Sequence, residues 1–255
     1  MTQVIILAAG KGKRMGATTP KVLCEVGGKP MVGRLVDSIL QSGVTSRPFV
    51  VIGYGTEIIK KHLGTKCNYV LQTEQLGTAH AVSCAKDYLA GVDDILVLYG
   101  DHPFLTPKTI SELAAAHKQS EATLTMMTVQ LPNFGGWYKI FEDWGRIVRD
   151  LHGAVRAIVE KKDAGAEELK ITEVNPSFFC FNANWLWDNL PKLNCDNAQG
   201  EFYLTDLVHL AISQSKKVHA FPVVNPAEAV GVNTQVQLEL AKTLFCESGL
   251  GLQTG

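Results

Sequence analysis

The sequence predicts an α/β protein whose first half carries a mostly parallel sheet and whose second half is richer in strand. Two observations predict this. Over the first hundred residues, short β-branched runs alternate with amphipathic stretches, the pattern of parallel strands joined by crossover helices. From Glu121 onward the texture changes to alternating segments such as TLTMMTV (123–129) and SFFCFN (177–182), which read as further sheet.

Each element follows from its own residues. Strands are expected over 3–8, 47–53, 68–72 and 94–99, with helices near 30–41, 56–63 and 78–90. The first helix has Pro30 where a missing N–H does no harm, apolar residues at Met31, Leu35, Val36, Ile39 and Leu40, and Gly43 just beyond its end. Thr106 before Pro107 caps a helix reaching to about Lys118. In the second half, RIVRDL (146–151) and AVRAIVE (154–160) read as strands, 183–190 and 202–214 as helices, and 227–233 as a strand and turn. The final SGLGLQTG reads as a loose tail.

Bulk properties bound the function. The chain of 255 residues has 46% hydrophobic and 19% charged residues, as in an ordinary soluble globule with one sizeable core. A formal net charge of -1 supplies no global field for holding nucleic acid. Six cysteines lie without a CxxC pair, which suggests free thiols. Apolar runs such as VIILAA (4–9) are far shorter than the ~20 residues that span a bilayer, and no basic stretch precedes the first of them. A cytoplasmic protein with no membrane or nucleic-acid partner is expected. Oligomeric state is not legible.

The chemical signal is local. Directly after the first strand come Gly10, Lys11, Gly12, Lys13, Arg14, Met15 and Gly16, and with Lys21 the first 24 residues hold four basic side chains and no acidic one. Glycines let backbone N–H groups approach a phosphate. Taken alone, the loop reads equally well as a solvated turn. No GK[ST] closes a P-loop, and the third glycine falls one place late for a dinucleotide fingerprint.

Further candidates lie at strand ends. In LQTEQLGTAHA (71–81), Gly77 and Thr78 open a helix whose free N–H groups suit a ligand, and Gln72 and Gln75 offer amides suited to a pyrimidine edge. Capping is the plainer role for Thr78. YGDHP (99–103) puts Asp101 at the carboxyl end of a buried strand, where a lone carboxylate suits Mg²⁺ or simply forms a turn. Asn233, in the turn Gly231-Val232-Asn233, offers a neutral oxygen, and Glu160 is either a sugar-hydroxyl acceptor or part of a surface charge run.

In order and spacing, LAAGKGKRM (7–15), PKVL (20–23), QLGTAHA (75–81), YGDHP, WGRIVR (144–149), EKKDA (160–164), QGEFYLTD (199–206) and GVN (231–233) resemble the uridylyltransferase domain of bacterial N-acetylglucosamine 1-phosphate uridylyltransferases, within the sugar nucleotidyltransferase family. The resemblance spans about residues 3–240. It implies a Rossmann-like three-layer αβα fold, the nucleotide-diphospho-sugar transferase fold. A nucleotide-binding lobe would cover 1–105, a sugar-binding lobe 106–226 and a return to the core 227–240, with 241–255 as a tail and no acetyltransferase domain.

The resemblance also implies roles. Leu7, Ala8, Ala9, Gly10, Gln72, Gly77 and Thr78 would hold the nucleotide of UTP, and Arg14 and Lys21 would stabilise the phosphates in transfer. Asp101 and Asn233 would hold Mg²⁺. Tyr99, Gly100, Gly145, Glu160 and Asn175 would contact the sugar 1-phosphate. Alternatives are the same chemistry with glucose 1-phosphate, dTTP or CTP, or a non-catalytic sugar-nucleotide sensor. Two departures fall on the sugar side. An Asn, Thr, Gly sequence common in the family is Asn175, Pro176 and Ser177 here, and a usual Tyr is Trp144, after a loop (133–143) that reads as longer than usual.

Overall fold

The computed structural model describes residues 1–10, 12, 19–197 and 199–247. The first half is β1 (Thr2–Leu7), a small hairpin of β2 (Glu25–Val26) and β3 (Lys29–Pro30), α1 (Met31–Ser42), β4 (Phe49–Ile52), α2 (Thr56–Leu63), β5 (Asn68–Leu71), α3 (Thr78–Ser83) and β6 (Asp94–Tyr99). The second half is α4 (Pro107–Ser120), β7 (Leu124–Gln130), β8 (Arg146–Arg149), β9 (Val155–Val159), β10 (Glu173–Val174), β11 (Phe179–Asn182), α5 (Ala183–Asn189), α6 (Asp206–Ser213), β12 (Val218–Pro222) and α7 (Gln235–Glu247).

One mixed sheet runs β5-β4-β1-β6-β11-β7-β10-β8-β9, with β12 also on β7. The first four strands are parallel, and β11 enters antiparallel between β6 and β7. Side-chain alternation along β1 explains the layers. Val4 and Ile6 face a core closed by α1, α4 and α7, whereas Ile5 faces one closed by α3, α5 and α6. Helices therefore cover both faces, as a parallel sheet requires. Among the described residues no helix is long and apolar enough to cross a membrane.

Capping signals were reliable guides. Thr106 accepts the Thr109 N–H at 3.2 Å at the start of α4, and Gly43 ends α1 in the left-handed conformation.

Four expectations need correction. The helix expected over 78–90 stops at Ser83, because its hydrogen bonds tighten to a three-residue spacing at Ala85, Tyr88 and Leu89 and turn Leu89 and Val92 back into the core. The helix expected over 202–214 begins only at Asp206. Residues 202–204 instead bond to the chain around Gly77. The strand expected over 227–233 is a 3₁₀ turn, Pro226–Ala229, started by the Asn225 side chain accepting the Ala227 N–H. Finally, α7 continues through 241–247, assigned to the tail, and buries Ala241 and Leu244. Residues 248–255 lie outside the described residues.

Candidate active site

The carboxyl ends of β1, β5 and β6 open on a cavity of about 570 Å³, the place where open α/β sheets bind ligands. Three segments remote in sequence meet on its floor. Lys21 opens a short 3₁₀ turn after Pro20, Asp101 follows β6, and Asn233 precedes α7. The Lys21 ammonium donates to Asp101 Oδ2 at 2.5 Å and to Asn233 Oδ1 at 2.7 Å.

Local structure fixes all three. The Asp101 carbonyl accepts the Val232 N–H at 3.0 Å, tying the turn before Asn233 to the end of β6. Thr234 and Gln237 form a reciprocal capping box at the start of α7: Thr234 Oγ1 accepts the Gln237 N–H, and Gln237 Oε1 accepts the N–H groups of Asn233 and Thr234. Gly12 packs against Lys21, where a Cβ would lie 2.7 Å from the Lys21 Cβ.

Asp101 is 6% exposed. Burial alone would raise its pKa, but the Lys21 charge and the adjacent His102 outweigh burial and hold the carboxyl below the usual carboxylate range. Its second oxygen, Oδ1, lies 3.1 Å from His102 Nδ1 in a geometry that makes no hydrogen bond. Asp101 and Asn233 thus offer hard oxygen donors at one point: Asp101 Oδ2 and Asn233 Oδ1 already share the Lys21 cation, and the buried Asp101 Oδ1 is left without a partner. The pair fits Mg²⁺, which takes one or two protein carboxylates and fills its other positions from water and substrate phosphates. No cluster of three or more His, Cys, Asp or Glu occurs among the described residues.

On one side of this floor lie Leu7, Ala8, Ala9, Gly10, Gln72, Gly77 and Thr78. Gln72 is buried, and its amide donates to the Gly77 carbonyl at 3.2 Å and lies 3.0 Å from His80 Nδ1. Gln75 donates to the Gln72 carbonyl at 3.1 Å. Gly77 has φ +114°, and a Cβ there would lie 2.5 Å from the Phe202 carbonyl oxygen. Thr78 does not cap α3. It is the first helical residue, and its hydroxyl accepts the Leu204 N–H at 2.9 Å, stapling the loop after Gln199 to the helix start.

On the other side lie Tyr99, Gly145, Glu160 and Asn175. Burial pushes the Tyr99 phenol well up, with the hydroxyls of Thr78 and Ser177 opposing. Gly145 packs so closely that a Cβ would meet Ile158 at 2.8 Å and Glu160 Oε1 at 3.4 Å, and its carbonyl accepts the Asn175 N–H. Crowding by protein raises the Glu160 carboxyl, with the Lys162 charge opposing.

The long loop before Gly145 is held from beneath by Arg146. This side chain is 1% exposed, donates to the carbonyls of Trp144 and Glu142, and lies 4.5 Å under the Phe134 ring. Trp144 packs edge-on against Phe141, with centroids 4.8 Å apart.

Thus the structure brings together every expected site residue among those described except Gly100. Gly100 is buried and does not line the cavity; its N–H donates to the Leu7 carbonyl, and a Cβ there would lie 3.1 Å from Val22. It serves as a spacer between Tyr99 and Asp101. Arg14 lies outside the described residues. The cavity also takes in Ser177, Gln199 and Glu201, which the site assignment from sequence left out. The last two stand in the QGEFYLTD segment that carried part of the resemblance.

A family model for the MobA-like NTP transferase domain matches residues 4–175. The chain belongs to that family. It is accordingly a nucleotidyltransferase, with a GlmU-like sequence through most of its length. It is 42% identical over 242 residues to the bifunctional protein GlmU of Enterococcus faecalis, covering 94% of this chain and 51% of the relative. The GlmU protein of Clostridium novyi is 42% identical over 243 residues, with the same coverage. The chain therefore spans about half the length of these relatives.

Solved structures agree on the fold. A Bacillus anthracis chain assigned as a glucose-1-phosphate thymidylyltransferase superposes with a TM-score of 0.77 at 19% identity, covering 97% of this chain and 96% of that one. A UDP-glucose pyrophosphorylase complexed with UDP-glucose gives 0.73 at 14% identity, covering 97% and 99%. The expected αβα nucleotidyltransferase architecture is thus met.

Proposed function

We propose that this chain transfers a uridylyl group from UTP to N-acetylglucosamine 1-phosphate with the help of Mg²⁺, giving the UDP-sugar and pyrophosphate. The observation that carries the reading is the meeting of Lys21, Asp101 and Asn233 between two walls of one cavity, one formed at the end of β1 and the start of α3, the other by Gly145, Glu160 and Asn175. The motif resemblance and the likeness to GlmU proteins support the choice of nucleotide and sugar.

The reaction is in-line attack of a sugar phosphate oxygen on the α-phosphorus of UTP, with pyrophosphate leaving. No protein base is needed, because a phosphate monoester has a second pKa of about 6 and its oxygen is already largely anionic at neutral pH. The obstacle is repulsion between two polyanions. Lys21 offsets it directly, and the Gly10 backbone N–H would add to that effect. The α3 wall and the Gly145–Asn175 wall set the reactants' alignment. Asp101 and Asn233 would hold Mg²⁺, whose charge stabilises the phosphates when bound.

Pyrophosphate release should be measured across UTP, dTTP and CTP paired with N-acetylglucosamine 1-phosphate and glucose 1-phosphate. The UTP and N-acetylglucosamine 1-phosphate pair is expected to give the highest kcat/KM. Lys21→Ala and Asp101→Ala should each lower kcat by about 10²–10³. Preference for another pair reassigns the substrate. Tight binding of nucleotides without pyrophosphate release overturns the reading in favour of a sensor.

A further inference from the structure

Among the described residues, three non-glycine residues adopt positive φ: Glu121, Ser177 and Ser215. Glu121 ends α4, and Ser215 follows the end of α6, places where a left-handed residue is common. Ser177, at φ +63°, ends no helix. It lies between β10 and β11 in the wall of the cavity.

The left-handed conformation costs an L-residue backbone energy and persists only where the surroundings over-determine it. Here they do. Pro176 fixes its own φ ahead of Ser177, the residue order of a type II turn, in which glycine is the usual occupant of the left-handed place. Asn175 Oδ1 accepts the Ser177 N–H at 2.9 Å, and Asn175 Nδ2 donates to Ser177 Oγ at 3.3 Å. Phe178, fully buried, pins the next residue. A glycine would meet these backbone demands without strain. What serine adds is one hydroxyl, on a residue that lines the cavity.

That hydroxyl is only partly used. A serine hydroxyl offers one donor and two acceptor positions. Asn175 Nδ2 takes one acceptor position, which leaves the hydroxyl's donor and its second acceptor position for a ligand. Through Asn175 the residue is continuous with Gly145 and Glu160, which form the same wall.

We propose that Ser177 is a specificity-determining residue whose hydroxyl hydrogen-bonds a ring hydroxyl of the sugar 1-phosphate acceptor. This rests on the functional reading above, in which that wall takes the sugar. The strain at Ser177 is then retained for acceptor recognition, with Asn175 aiming the hydroxyl.

Two variants separate backbone from hydroxyl. Ser177→Ala removes the hydroxyl and keeps the strained φ, whereas Ser177→Gly removes both. Both are expected to raise the acceptor KM about tenfold, equivalent to ~1.4 kcal/mol, with kcat and the UTP KM unchanged. Acceptor 1-phosphates lacking one ring hydroxyl each provide the matching deletion: one should bind wild type about tenfold more weakly yet bind Ser177→Ala no worse than the full sugar does.

An unchanged acceptor KM in an active Ser177→Ala enzyme overturns the proposal and leaves the uridylyltransferase reading intact. So does an equal rise in both KM values with a lowered Tm, which marks a merely structural role. If wild type releases no pyrophosphate from any pair, the functional reading falls and this proposal falls with it.

Discussion

At the scale of single residues, the site is governed by what surrounds each polar atom. Lys21 and Asp101 have side chains 15% and 9% exposed, so their pairing is a partly desolvated one, and removing one partner strands the other. Lys21→Met should lower stability by about 3–5 kcal/mol at neutral pH, because it leaves an ionised Asp101 without its principal cation. Adding Asp101→Asn to that variant removes the stranded charge. Thermal melts of the two single variants and the double variant should therefore show the double to be more stable than Lys21→Met alone, and simple additivity would contradict the coupling. Gly77 makes a steric counterpart. Any Cβ at φ +114° is strained and meets the Phe202 carbonyl, so Gly77→Ala should push residues 202–204 off the start of α3. A loss of about 1–3 kcal/mol and a raised UTP KM are expected, and an unaltered Tm would show that the loop yields freely.

At the scale of elements, the wall of Gly145 and Asn175 depends on how β8, β10 and β7 are locked together. Arg149 on β8 donates to both oxygens of Glu173 on β10, at 2.6 and 2.8 Å, and Thr128 on β7 donates to Glu173 at 2.6 Å. Glu173 is buried, which by itself would raise its pKa, yet Arg149 and Thr128 lower it on balance. A carboxyl with a depressed folded pKa contributes stability that is present above its unfolded pKa and lost as pH falls through the folded value. Arg149→Met reverses the local sign: Glu173 becomes a buried carboxylate without a cation, destabilised most where it is ionised. Melting curves should show the deficit of this variant largest near pH 8 and shrinking toward pH 4, whereas a pH-independent deficit would mean that only packing was lost. The contrast between legible and illegible elements has the same origin. The ends of α1 and α4 were readable because Gly43 and Thr106 with Pro107 satisfy terminal backbone groups locally. β10 has only two residues, Glu173 and Val174, and exists because of its neighbours on either side, so no periodicity announces it.

At the scale of the molecule, the cavity is an outcome of topology. Lys21 and Asn233 are 212 positions apart and meet because the sheet and α7 deliver both to the end of β6. The local excess of basic residues pointed to Lys21 and the end of a buried strand to Asp101, while the resemblance singled out Asn233 and supplied all three roles, but the meeting of the three is a tertiary fact. Gly100 and Ser177 are the complementary cases: whether a residue packs behind the wall or lines the cavity is not written in the sequence. α7 carries more signal than the sequence reading used, since Thr234 and Gln237 have capping-box spacing and Leu238, Ala241 and Leu244 follow at helical intervals. This helix closes the core under β2, where Phe245 fills the space above Gly27 and lies 4.3 Å from the Arg34 guanidinium. Burying Leu238 and Leu244 is worth roughly 1.5–3 kcal/mol each, a large share of the ~5–15 kcal/mol that stabilises a typical domain. A chain ending at Thr234 should therefore lose its cooperative thermal transition or melt more than about 10 °C lower, and should lose turnover even where it folds, because Gln237 no longer fixes Asn233. Circular dichroism melts beside pyrophosphate release test both parts, and a truncated chain that melted and turned over like the full one would show that neither the core nor Asn233 depends on α7.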